Sequence, residues 1–132
     1  IKEGLCDVSL GNSYYFGKML TDEQQKPWAD AVNIVYPNQH DRGAHINVSG
    51  AVVAKYAPHK DNAVKLIAFL ASEQAQQAYA SVNMEYPVNP SVSPSELVAS
   101  WGMFKEDELP LTEVAKFRTA ALRLVDKVKF DL

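Results

Sequence analysis

Tyr14 and Tyr15 are consecutive, and two phenols make a chemical unit only where both rings can reach one point. Neighbouring side chains point to opposite faces of a strand and lie about 100° apart on a helix, so convergence predicts irregular backbone at the pair. Gly11, Asn12 and Ser13, immediately before it, supply such a loop. A free phenol, with a pKa of about 10, is protonated at neutral pH, but a bound cation of high charge favours the phenolate. A hard trivalent ion such as Fe(III) suits hard, anionic oxygen ligands. The plain alternative is a pair of aromatics after a strand that packs in a core or walls a pocket.

Other reactive groups offer less. His40 and His45 are five apart across a glycine-containing loop, which is not the spacing that puts two imidazoles on one helical face, and they read as surface and strand-edge histidines. Cys6 reads as a buried small hydrophobe. Tyr36, Tyr56, Tyr79 and Tyr86 read as strand, loop and core aromatics, Tyr86 being held extended by Pro87. The sequence contains no G-x-S-x-G elbow, phosphate loop, His-Glu-x-x-His or paired Cys, so an enzyme reading has little support.

The chain of 132 residues has 13 Lys plus Arg against 16 Asp plus Glu, a net charge of -3 that argues against a basic nucleic-acid binder. At 47% hydrophobic and 22% charged it can afford a packed core and lies far from the composition of disorder. No run approaches the roughly 20 apolar residues needed to cross a bilayer. The opening, Ile1 to Leu5, reads like the last turn of a helix, a glycine stop and a strand, so residues before Ile1 are expected in a longer parent chain.

The elements that must position the tyrosines alternate. Residues 5–10, an apolar run around Leu5, Cys6, Val8 and Leu10, predict a buried strand. Residues 16–32 are helical but broken, with Thr21 or Asp22 as a cap and Pro27 forcing a new start near Trp28. A second strand is predicted over 32–36, a polar loop over 37–43, and a long third strand over 45–53 with Gly50 at a bulge or close approach. Asp61 or Asn62 can cap a helix whose apolar positions Val64, Leu66, Ile67, Leu70 and Ala71 recur at helical spacing, and Ser72 starts another that ends at Asn83. Residues 86–95 are too proline-rich for a central strand, and 112–128 predict one closing helix started by Pro110 and a Thr112 cap. Strands alternating with helices place the chain in the α/β class.

Residues 4–8 and 12–17, then 45–51, 62–76 with its Ser72, Glu73, Gln74 and Ala75, and finally 85–90 around Tyr86, Pro87 and Pro90, resemble the carboxy-terminal part of periplasmic ferric-iron-binding proteins. These are the substrate-binding components of iron(III) ABC transporters. The resemblance covers nearly the whole chain; the Ser72 helix is common to many solute-binding proteins, and the tyrosine pair is the iron-specific part.

The resemblance implies a type II periplasmic binding-protein fold, here an incomplete carboxy-terminal portion spanning parts of both lobes. Residues 1–44 would belong to the tyrosine-bearing lobe, 45–95 to the other, and 96–132 would return. It implies that Tyr14 and Tyr15 ligate Fe(III) through their phenolates and that Asn12 helps hold a synergistic anion. The remaining ligands would come from the missing amino-terminal part. It further implies a periplasmic location and delivery to a permease in the inner membrane. Partial strands without neighbours would also invite domain-swapped self-association. A solute-binding protein of the same fold for an organic anion or polyamine-like ligand, with the tyrosines merely lining its pocket, is the rival. A small interaction module whose last helix docks on a partner is another.

Overall fold

Local side-chain signals set some of the helical starts. The computed structural model describes residues 1–130 and contains, among them, α1 (Ser13–Thr21), α2 (Lys26–Ala29), α3 (Lys60–Leu70), α4 (Glu73–Val82), α5 (Glu96–Ala99), α6 (Leu111–Lys116) and α7 (Arg118–Val128). The Asp22 carboxylate accepts from the backbone amides of Gln24 (2.9 Å) and Gln25 (3.0 Å), turning the chain between α1 and α2. Pro27 then sits in the first turn of α2, where its missing N–H costs nothing. Ser72 and Ser95 cap α4 and α5 by accepting from Ala75 N (3.4 Å) and Val98 N (3.3 Å).

Several expectations are corrected. The cap of α3 is His59, with no side-chain bond, and Asp61 lies inside its first turn, where a carboxylate faces the positive helix end. The closing helix is two helices. Phe117 N donates to Val114 O (3.0 Å), a three-residue step that tightens the turn, and the ladder restarts with Ala121 N donating to Phe117 O (2.8 Å). Its start is Pro110 at the cap position, not Thr112.

None of the three expected strands pairs with another segment among the described residues. Leu5, Val8, Leu10 and Val52 are at least 84% exposed, and Cys6 is exposed as well. Apolar and β-branched residues make a segment ready for a sheet, but a ladder needs a neighbour in register to take its amides and carbonyls. Nothing lies within 4 Å of where a Gly50 Cβ would be, so the expected close approach there is absent too.

The chain divides into two compact units, one of residues 1–36 and 47–103, the other of 37–46 and the residues from 104 onward. In the first, Ala29, Ala75, Ala80, Val92 and Val98 are buried. Gln76 of α4 is buried with them and is satisfied at both ends: its Nε2 donates to Leu70 O (2.8 Å) and its Oε1 accepts from Val88 N (2.8 Å). In the second, Ala44 forms an isolated parallel bridge with Glu106. Gln39 holds Lys105 by two bonds, donating to its carbonyl (3.1 Å) and accepting from its amide (2.7 Å). Gly43 has φ +100, and a side chain there would run into the Glu106 carbonyl.

Candidate functional site

The tyrosine pair is not in a loop. Tyr14 and Tyr15 are the second and third residues of α1, whose N-cap is Asn12 in extended conformation. Their ring centroids are nevertheless only 4.4 Å apart, with planes inclined by 48°. The expectation that regular backbone would forbid convergence is therefore wrong at a helix start. With no preceding turn beside the first residues, side chains as long as tyrosine can lean together despite a 100° separation of their Cα–Cβ bonds. The signal for this was present in Asn12 and Ser13, two residue types that favour helix starts.

Three features shape the pair. Asn12 leaves the helix end uncapped and instead donates from Nδ2 to the Tyr14 hydroxyl (3.1 Å). Lys18, one turn on, places its ammonium 5.8 Å from the Tyr14 ring centroid. The Tyr15 phenol is raised above its ordinary 10.0, first by its hydrogen bond with the Tyr14 hydroxyl and then by the cost of placing charge beside that group. Tyr15 is 56% exposed and Tyr14 half-buried, so the pair can be reached from solvent. A trivalent cation would reverse the mutual penalty, since each phenolate is then next to a larger positive charge.

The structure thus brings Asn12, Tyr14 and Tyr15 together. His40 and His45 are both exposed, and among the described residues no group of three or more His, Cys, Asp or Glu side chains could hold a metal. Tyr36 and Tyr86, assigned only packing roles above, form a second phenol pair, with hydroxyls 2.7 Å apart and partly buried. Burial pushes the Tyr86 phenol well above its ordinary 10.0, and the Tyr36 hydrogen bond adds to that. Sequence spacing could not have paired residues 50 positions apart.

Helices joined by extended segments are the elements expected of an α/β solute-binding protein of the type II periplasmic kind. More particularly, the chain belongs to the bacterial extracellular solute-binding protein family, whose model matches residues 8–106. It is 41% identical over 129 residues to iron uptake protein A1 of Synechocystis sp., covering 96% of this chain and 36% of that protein. It is 38% identical over 92 residues to the major ferric iron-binding protein of Neisseria meningitidis, covering 70% and 27% respectively. Among solved structures it superposes on the ferric iron-binding protein A of Mannheimia haemolytica in an open conformation with a TM-score of 0.90 at 55% identity, over 99% of this chain and 41% of that one. The unpaired extended segments therefore follow the backbone path of that fold. The chain spans about two fifths or less of the length of each of these proteins.

Proposed function

We propose that this chain is part of the substrate-binding component of an iron(III) ABC transporter. Its cargo is ferric ion, taken up in an interlobe cleft by the phenolates of Tyr14 and Tyr15 and handed to a permease in the inner membrane. The observation that carries this reading is the convergence of two adjacent, accessible phenols at the start of α1 in a chain of this family. The relatives named for ferric iron support the choice of cargo.

Asn12 is proposed to help hold a synergistic anion. Its Nδ2 already points toward the phenols, and the uncapped amides of α1 favour negative charge beside it. Two phenolates fill two coordination positions, so the other ligands belong to the missing amino-terminal part. The isolated chain should hold iron weakly, with water and small anions completing the sphere. Its exposed apolar extended segments make domain-swapped self-association a further expectation. Binding and release need no covalent step, so the protein acts without catalysis, in the periplasm. No helix of the described residues is long and apolar enough to cross a membrane.

The test is ferric titration of the full-length gene product, followed by the visible phenolate-to-iron charge-transfer band. A band that saturates at one ion per chain and disappears in Tyr14→Phe/Tyr15→Phe is the expected result. A colourless complex, with binding of an organic anion or polyamine instead, would overturn it.

A further inference from the structure

Phe16 and Gly17 follow the phenol pair directly, and both are pinned. The Phe16 ring lies 5.7 Å from that of Trp101, inclined by 56°. Gly17 is the buried residue of α1, and a Cβ placed on it would lie 2.7 Å from both Cβ and Cγ of Met84 and 3.1 Å from Cη2 of Trp101. Met84 itself has φ 58, a left-handed conformation unusual for a residue with a side chain, just after the α4 C-cap Asn83. The backbone beyond it is fastened twice, by the Tyr36–Tyr86 hydroxyl contact (2.7 Å) and by Val88 N donating to the buried Gln76 of α4 (2.8 Å).

We propose that Gly17 and Met84 are a positioning pair for the phenols: the bare backbone of Gly17 seats α1 against Met84, and that seat sets where the Tyr14 and Tyr15 oxygens stand. The inference rests on the iron reading and adds to it the residues that aim the ligands. Magnitudes favour an effect on the site. Ordinary contact begins at 3.4 Å, so a methyl group on residue 17 must displace its surroundings by about 0.7 Å. Metal–ligand distances tolerate only about ±0.2 Å. A helix turn is stiff, and Tyr14 lies one turn before Gly17 on the same face, so the displacement reaches the phenols. The side-chain hydrogen bonds of Tyr14 and Tyr15 are to each other and to Asn12, all at the helix start and so carried along with it.

The experiment is a double-mutant cycle in the full-length gene product, read by competition with a ferric chelator and by the energy of the charge-transfer band. Gly17→Ala should weaken ferric binding by about 10-fold or more and shift the band. Met84→Gly, compatible with the positive φ, removes the seat and should weaken binding by a smaller factor. Gly17→Ala/Met84→Gly should recover, because the new methyl group fills the space vacated by the Met84 side chain. If Gly17→Ala does not fold, the double variant must still bind more tightly than Met84→Gly alone. Singles that lose thermal stability yet keep the wild-type affinity and band, or a double variant that does not recover, would overturn the proposal. Tyr14→Phe/Tyr15→Phe in the same assay separates the two readings: if it leaves binding intact, the iron reading fails and this one with it, whereas if it abolishes binding while the cycle is flat, only the positioning role falls.

Discussion

The molecule contains two tyrosine pairs that use the same functional group in opposite ways. Tyr14 and Tyr15 are neighbours in sequence, reachable from solvent, and set with inclined rings at a helix start. Tyr36 and Tyr86 are distant in sequence, partly buried, and joined hydroxyl to hydroxyl at 2.7 Å. In both, one phenol is harder to ionise than usual, but the leading cause differs: the neighbouring hydroxyl for Tyr15, desolvation for Tyr86. A penalty from a neighbour can be cancelled by a cation placed between the two groups. A desolvation penalty cannot be cancelled without opening the fold. Accessibility thus makes one pair a candidate ligand set and the other a structural clasp.

The largest effect that could break this contrast is loss of ferric binding. Tyr14→Phe or Tyr15→Phe should each weaken binding by more than the roughly 10–100-fold typical of removing an outer partner of a metal ligand. Chelator competition with the full-length protein measures it, and Tyr36→Phe and Tyr86→Phe should leave both affinity and colour unchanged. An equal loss from either set would erase the distinction.

Next in size is the dependence on acid. Each ligating phenol must release its proton, so two phenolates should make the apparent ferric affinity fall by about 100-fold for each unit of pH below neutrality, and Tyr14→Phe should reduce that slope by one proton. Titration at fixed chelator-buffered iron supplies the count.

Stability should respond in the reverse pattern. Tyr36→Phe or Tyr86→Phe leaves the partner hydroxyl one hydrogen bond short in a partly buried place and should cost about 1–2 kcal/mol in denaturant unfolding. Tyr15→Phe, at an exposed site, should stay within about 0.5 kcal/mol of wild type.

The smallest effect is alkaline. In the unfolded chain the Tyr86 phenol ionises near 10, whereas in the folded chain it stays protonated, so the unfolded state binds fewer protons as pH climbs past 10. Stability should therefore be full below pH 10 and decline above it, and Tyr86→Phe should flatten the decline. A pH series of melting temperatures checks the sign; a rise in stability above pH 10 would contradict the buried clasp.

Local chemistry in the sequence determined the turn at Asp22 and Pro27, the polar loop over 37–43, the Ser72 start and Asn83 end of α4, and the singular position of Tyr14 and Tyr15. Each depends on groups within a few residues: a carboxylate or hydroxyl meeting a free amide, a proline without one, two adjacent rings. The short α5 has the same kind of cap in Ser95 but too few residues for its periodicity to show. Only the tertiary structure decided that the tyrosines begin a helix, that Gly17 meets Met84, that Tyr36 reaches Tyr86, and that the apolar segments at 5–10, 32–36 and 45–53 have no ladder partner among the described residues. Those outcomes turn on which distant segment comes alongside. An apolar, β-branched run states that it can be buried or paired, but its partner is set by the packing of the whole chain.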